Sequence, residues 1–246
     1  MPDDRLSAIA ERLLAARRQG TRIALDGPEL PADFEEGFAI QEKVVAGLAS
    51  PIIGWKVMAV PQGPVIFAPI LGADEVKDGG AWDVAGPEPA GIELEIAFRI
   101  GRDVAAGATE QQVLAAVESA HVVFELCQSR LTDPGKHPRH VVLADCISNA
   151  GLVVGSQILN WRSEHLADRA GRLLVDGRVH IEGRSVDPVA ALLMLPPALA
   201  ARGKMLTAGQ IVITGSLIGM NWLTGHHALE GSIDGLGRVS LDLAAA

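Results

Sequence analysis

The chain has 246 residues, 48% of them hydrophobic, enough to bury a substantial core in one large domain or two small ones. A formal charge of -9 without any extended run of Lys or Arg excludes a general nucleic-acid or anionic-membrane binder and leaves small molecules or proteins as partners. Cys127 and Cys146 are too few for a disulfide framework and lack CxxC spacing; with an N-terminus that starts on acids and has no apolar h-region, this predicts a cytoplasmic protein without signal peptide or membrane span.

Residues 3–20 place Leu6, Ile9, Leu13 and Leu14 at helical spacing and end on Gly20, which predicts an amphipathic helix. A second helix is expected over about 32–48, where "PADFEEGFAIQEKVVAGL" puts acids in the first turn, as the helix dipole favours. From Ile52 the texture changes to short apolar runs broken by Gly and Pro, "PIIGWKVMAV", "GPVIFAPIL" and "GIELEIAFRIG", which read as strands and tight turns. Thr109 with Gln112 forms a capping-box signature for a helix over roughly 110–119. "HVVFELCQ" then reads as a strand, and "ADCISNAGLVVGSQ" as more strand, with His137 and His140 in the loop before it. "RLLVDGRVHIEG" is a hairpin turning at Asp176-Gly177, and Asp187 with Pro188 marks the start of a helix that runs through Pro196 and Pro197. "AGQIVITGSLIG" and "GRVSLDL" close the chain as strands. With no internal repeat or linker, helices in front and a β-rich body predict a single α+β domain.

GxGxxG, Walker A, HExxH and GxSxG are all missing. What remains is acidic. In the strand "GIELEIAFRIGRD", Glu93 and Glu95 are two apart and share a face, while Ile92, Leu94 and Ile96 take the other. Two like charges so placed repel and lose hydration unless a shared counter-charge offsets them, or the strand is an edge with a wet face. Glu125, within apolar "VVFELC", is a third carboxylate in a buried setting. Three carboxylates suit a hard divalent cation; the alternative is separate ion pairs with Arg99, Arg102 or Arg130. Lys56, between Trp55 and Val57, either snorkels to solvent or is held near an anionic substrate. The histidines read as solvated or structural, and Asp74 or Glu75 in "LGADEV" is a candidate acid or base for water.

The order "GWK", "IELEIAFRIGRDV", "VVFELCQSRL", "LADCISNAGLVVG", "LTAGQIVITGSL" resembles the 2-keto-4-pentenoate hydratase and 4-oxalocrotonate decarboxylase branch of the fumarylacetoacetate hydrolase superfamily, and "AIQ" at Ala39 to Gln41 extends the likeness into the front helices. The resemblance implies a strand-rich mixed fold like the fumarylacetoacetate hydrolase C-terminal domain, with a helical N-terminal segment (1–50) packed on a catalytic domain (51–246). It implies Glu93, Glu95 and Glu125 as ligands of Mg²⁺ or Mn²⁺, Lys56 as a catalytic and substrate-binding residue, and Ser216 of "TGS" as a substrate contact. In the family the metal chelates the carboxylate and 2-oxo or 2-hydroxy oxygens of a pyruvate-like acid, where a Lewis acid stabilises an enolate.

Hydration of a 2-hydroxy-2,4-dienoate in the catabolism of aromatic compounds is the implied reaction. A 4-oxalocrotonate-type decarboxylase is the near alternative. An acylpyruvate C–C hydrolase fits less well, since no histidine precedes His121. The family also admits a non-catalytic assembly partner, and a homo-oligomer, associated or not with a partner pathway enzyme, is expected. Two departures bear on substrate choice: Asp145-Cys146-Ile147-Ser148 stands where the family often reads Asp-Asn-Ala-Ser, and the stretch between "GWK" and "FAPIL" is shorter than in the hydratases.

Overall fold

The computed structural model describes residues 2–84 and 89–245. Helix α1 (Pro2–Gln19) and helix α2 (Phe34–Leu48) stand where the spacing places them, and Asp33 caps α2 by accepting from the Glu36 amide. Their apolar stripes meet at Ile9, Leu13, Ile40 and Val44. Five strands follow: β1 (Ile52–Ala59), β2 (Val65–Leu71), β3 (Glu75–Val76), β4 (Ala81–Val84) and β5 (Ala90–Ile100). The capping box of Thr109 and Gln112 opens α3, which spans only Glu110–Ala116. Val117 to Ser119, expected to be helical, instead begin β6 (Val117–Cys127), because Val117 pairs with Ile100 and Ser119 with Arg99 across the sheet. Cross-strand pairing here overrides helix propensity.

The stretch before "NAGLVV" also departs from expectation. Arg139–Ala144 form a helix, α4, which includes His140 and follows Pro138, and β7 (Asn149–Ile158) starts only at Asn149. Between them Cys146, Ile147 and Ser148 all take positive φ, at 50°, 52° and 62°. A β-branched residue there is strained and persists only where its surroundings over-determine it. Those surroundings are Asp145 and Arg130, both buried. The Asp145 carboxylate accepts from Arg130 Nε at 2.5 Å, the Arg130 amide at 2.9 Å and Ser129 Oγ at 3.2 Å, while Arg130 Nη2 donates to the Asp145 carbonyl at 2.8 Å. The pair bolts the left-handed turn to the end of β6. Arg130→Met is expected to destabilise the protein by about 3–5 kcal/mol, because it leaves a buried carboxylate unpaired. Urea unfolding checks it, and an unchanged midpoint would show that the pair contributes nothing.

The hairpin of β8 (Ala170–Val175) and β9 (Arg178–Arg184) turns at Asp176 and Gly177, both at positive φ, as a type I′ turn requires. Asp187 caps α5 (Pro188–Ala200) by accepting from the amides of Val189 and Ala190, and the helix continues through Pro196 and Pro197. Strands β10 (Ile211–Ile213), β11 (Asn221–Leu223), β12 (His226–Ile233) and β13 (Gly237–Ala245) end the chain. No helix among the described residues is long and apolar enough to cross a membrane.

Two sheets result. One runs β2-β1-β10-β5-β6-β7-β3, with β11 also on β5; the other runs β4-β13-β12-β8-β9. They pack face to face where β12 crosses β6. A Cβ on Gly231 would sit 2.6 Å from the Phe124 ring and 2.7 Å from Leu94, so only glycine permits this approach. Leu94 and Phe124 therefore look toward the second sheet, and strand alternation turns Glu93, Glu95 and Glu125 to the opposite face. Over that face lies α5, packed on β1, β2 and β5. Gln41 ties the front helices to this body: its buried amide donates to the carbonyls of Phe67 at 3.2 Å and Leu143 at 3.1 Å.

Candidate active site

Strand β5 is central, held by β10 and β11 on one side and β6 on the other, so the wet-edge reading of its two glutamates fails. Antiparallel register sets Glu93 directly opposite Glu125. Glu125 is fully buried and Glu95 is 2% exposed. Three carboxylates thus converge on one face, next to an apolar patch of Ala97, Val123 and Ile213.

The counter-charge is Lys56. It reaches from β1, whose parallel pairing with β10 places Lys56 beside Ile213, itself beside Ala97 of β5. At 4% exposure it does not snorkel. Its Nζ lies 2.6 Å from Glu125 Oε1 and 3.9 Å from Glu93 Oε2, and donates to the Ile147 carbonyl at 3.2 Å. The strained turn aims that carbonyl inward. Arg99, Arg102 and Arg130 pair elsewhere, with Gly209, Ala115 and Asp145 respectively, so the ion-pair alternative to a shared site is not what the fold builds.

Two contacts were not anticipated from the sequence. Asn149 Nδ2 donates to Glu125 Oε1 at 2.8 Å, and Cys127 Sγ approaches Glu93 Oε2 at 3.8 Å. A signal for the second existed, because the period-two rule that pairs Glu93 with Glu95 also pairs Glu125 with Cys127. The tightest potential ligand set among the described residues is Glu93, Glu125 and Cys127, with one donor atom from each all within 4.8 Å of one another. Glu95 stands beside this trio, its Oε2 accepting from the Gly215 amide at 2.7 Å.

The residues present fit a hard cation. Lys56 and Asn149 saturate Glu125 Oε1, yet Glu125 Oε2 is buried with no hydrogen-bond partner. A buried carboxylate oxygen without a partner is costly, and a bound cation is one way to satisfy it. The electrostatics agree. Burial above all, opposed by Lys56 and reinforced by Glu125, pushes Glu93 up to about 7. Burial, then the charges of Glu125 and Glu93, hold the Glu95 carboxyl well above its ordinary range. Burial and then Glu125 raise the Cys127 thiol as well. Burial opposes the charge on Lys56, but the surrounding acids, Glu125 first, hold its pKa above that of an ordinary lysine.

A pH effect follows for metal-stripped protein. Between 4.5 and about 7 the folded chain keeps a proton on Glu93 that the unfolded chain has lost, so stability falls as pH rises through that window. Melting curves in chelator at about pH 5 and about pH 8 should show the drop, and Mg²⁺ should restore more stability at the higher pH, where protons no longer compete for the carboxylates. A metal-free melting temperature that rises with pH would contradict the assignment of the shift.

Lys56, Glu93 and Glu95 line a cleft of about 420 Å³ between the sheet and α5. Ser216 sits at its side, where its hydroxyl donates to the Gly219 carbonyl at 3.1 Å and accepts from the Ile218 amide at 3.3 Å. None of the histidines lines the cleft among the described residues. Neither Asp74 nor Glu75 does: Asp74 pairs with Arg17 at 2.5 Å and Glu75 opens β3. A larger cleft of about 560 Å³ between α3 and residues 161–167 contains none of the glutamates, nor Lys56.

No family model matches the chain. It is 29% identical over 257 residues to a 2-keto-4-pentenoate hydratase of Burkholderia vietnamiensis (strain G4 / LMG 22486), covering 96% of this chain and 97% of that one. It is 31% identical over 147 residues to a 4-oxalocrotonate decarboxylase of a Pseudomonas species, covering 57% and 56%. Among solved structures, the 4-oxalocrotonate decarboxylase from Pseudomonas putida G7, complexed with magnesium and adipate, superposes with a TM-score of 0.86 at 22% identity, over 98% of this chain and 97% of that chain. A fumarylacetoacetate hydrolase from Exiguobacterium antarcticum superposes with a TM-score of 0.60 at 17% identity, over 80% and 76%. In sequence the chain is a relative of the 2-keto-4-pentenoate hydratases and 4-oxalocrotonate decarboxylases, and its fold is the one seen in structures of the fumarylacetoacetate hydrolase superfamily.

Proposed function

We propose that the chain is a hydro-lyase that depends on Mg²⁺ or Mn²⁺ and adds water to a 2-hydroxy-2,4-dienoate, the enol of a 2-keto-4-pentenoate-like acid. The observation that carries this reading is the partnerless Glu125 Oε2, buried among convergent carboxylates and a buried lysine at one cleft. Glu93, Glu95 and Glu125 would hold the cation, with Cys127 alongside. When bound, a divalent cation supplies Lewis-acid polarisation of the substrate's carboxylate and 2-oxygen.

The chain's own groups do the rest. An ammonium has three donors, and Lys56 uses two of them on Glu125 and the Ile147 carbonyl, which leaves the third for a substrate oxygen. Because the acids hold Lys56 charged, it also balances the anionic end of a substrate that arrives beside three glutamates. The Ser216 hydroxyl donates its hydrogen bond to the Gly219 carbonyl and accepts one from the Ile218 amide, so toward a substrate it offers its remaining lone pair to a hydroxyl. Helix α5 forms one wall of the cleft through Ala190, Ala191 and Met194.

Decarboxylation of a 4-oxalocrotonate-type acid is the second reading, supported by the TM-score of 0.86 to a decarboxylase. The test is an ultraviolet assay of metal-stripped protein with 2-hydroxypenta-2,4-dienoate, with and without Mg²⁺. Metal-dependent loss of dienoate absorbance with formation of 4-hydroxy-2-oxopentanoate supports hydration. Mg²⁺ binding without turnover keeps the cation site and moves the reading to decarboxylation.

A further inference from the structure

The two cysteines are both buried, and their surroundings are opposite in kind. Cys146 belongs to the main apolar core. Cys127 joins none of the apolar clusters formed by the described residues. Strand alternation puts it on the glutamate face of β6, two residues after Glu125, and the register sets it opposite Gly91 of β5. A Cβ on Gly91 would sit 2.9 Å from the Cys127 Cβ, closer than side chains pack, so the glycine is what lets the thiol stand there. Its Sγ lies 3.8 Å from Glu93 Oε2.

A buried cysteine ordinarily serves as a small apolar filler, and Cys146 fits that role. Cys127 does not, because it faces carboxylates. One donor atom each from Cys127, Glu93 and Glu125 lies within 4.8 Å of the other two, and Glu125 Oε2 is buried without a hydrogen-bond partner. A cation that settles on Glu93 and Glu125 is therefore within reach of a sulfur. Mg²⁺ takes oxygen ligands and gains nothing from a thiol, whereas Zn²⁺ and Co²⁺ accept sulfur readily. We infer that Cys127 is a sulfur ligand of this cation site and tunes it toward thiophilic divalent ions of the Zn²⁺ and Co²⁺ class. The inference rests on the reading of the glutamates as a cation site and deepens it by naming the class of ion. Coordination breaks the S–H bond: the proton leaves to solvent as the sulfur–metal bond forms, since a metal-bound thiol is deprotonated outright.

The test is spectroscopic and needs no turnover. Metal-stripped protein is titrated with Co²⁺ and followed in the near ultraviolet, where a thiolate on Co²⁺ gives a charge-transfer band that carboxylates do not. The wild type is expected to develop the band, saturating at an equimolar amount of Co²⁺, and to lose it when Zn²⁺ displaces the cobalt. Cys127→Ala should bind Co²⁺ without the band, and Cys146→Ala should keep it. In chelator-buffered titrations Cys127→Ala should lower Zn²⁺ affinity by at least about a hundredfold, the upper end of what losing an outer partner costs, and leave Mg²⁺ within about threefold. Cys127→Ser, close in size to the native residue, serves the same purpose if Cys127→Ala fails to fold.

Co²⁺ binding to the wild type without the band overturns the inference and leaves the carboxylate site in place. So does a band that survives Cys127→Ala, or a loss of Zn²⁺ affinity in that variant no larger than its loss of Mg²⁺ affinity. If none of Mg²⁺, Co²⁺ and Zn²⁺ binds, the reading of the glutamates as a cation site fails and the inference falls with it.

Discussion

Glu95→Gln is expected to lower Mg²⁺ affinity and turnover together, each by roughly a hundredfold, while the protein stays folded. The fold tolerates the change for a specific reason. Glu95 Oε2 accepts from the Gly215 amide at 2.7 Å, and a glutamine offers a carbonyl oxygen to the same donor. What disappears is one anionic charge from a group that burial and its neighbours already disfavour. Metal-stripped Glu95→Gln should therefore melt no lower than metal-stripped wild type, since like-charge repulsion is relieved. Calorimetric titration with Mg²⁺, melting curves in chelator and steady-state turnover read the three effects separately. Normal activity at limiting Mg²⁺ would remove Glu95 from the cation site.

Lys56→Met tests the other half of the site. Methionine keeps most of the volume and abolishes the charge, which leaves Glu93, Glu95 and Glu125 without their shared counter-ion. For a fully buried Glu125 the loss of its ion-pair partner should cost about 3–5 kcal/mol in the metal-free protein. Saturating Mg²⁺ should restore much of that stability, because it supplies positive charge to the same carboxylates. Turnover should not recover, since the third ammonium donor is gone. A variant that regains full turnover along with stability would reduce Lys56 to a structural counter-ion.

The placement of Lys56 shows where a sequence reading stops. The residue stood out in "GWKVM" as a lysine on an apolar run, and it was legible as either exposed or substrate-facing. That it is locked to Glu125 depends on β10, a three-residue strand from the far end of the chain, which sits between β1 and β5 and sets their separation. The ion pair joins positions 56 and 125, and no local pattern encodes their distance.

Local chemistry was legible wherever a few adjacent residues decide it. The shared face of Glu93 and Glu95 follows from strand pleating alone. Asp176-Gly177 demands a type I′ turn, Asp187 with Pro188 starts a helix, and Thr109 with Gln112 starts another, because each rests on φ preferences and hydrogen bonds within four residues. The order of motifs along the chain was enough to indicate the superfamily and its fold.

What only the tertiary structure decided is how distant pieces meet: the register that puts Glu93 opposite Glu125, the reach of Asn149 and Cys127 into the cluster, and the wall that α5 lays along the cleft. The left-handed run Cys146–Ser148 belongs there too, since its strain is sustained by a buried Arg130–Asp145 pair that short-range propensity cannot foresee. Backbone preference acts over a few residues, whereas register, burial and charge pairing are settled by contacts between residues tens of positions apart.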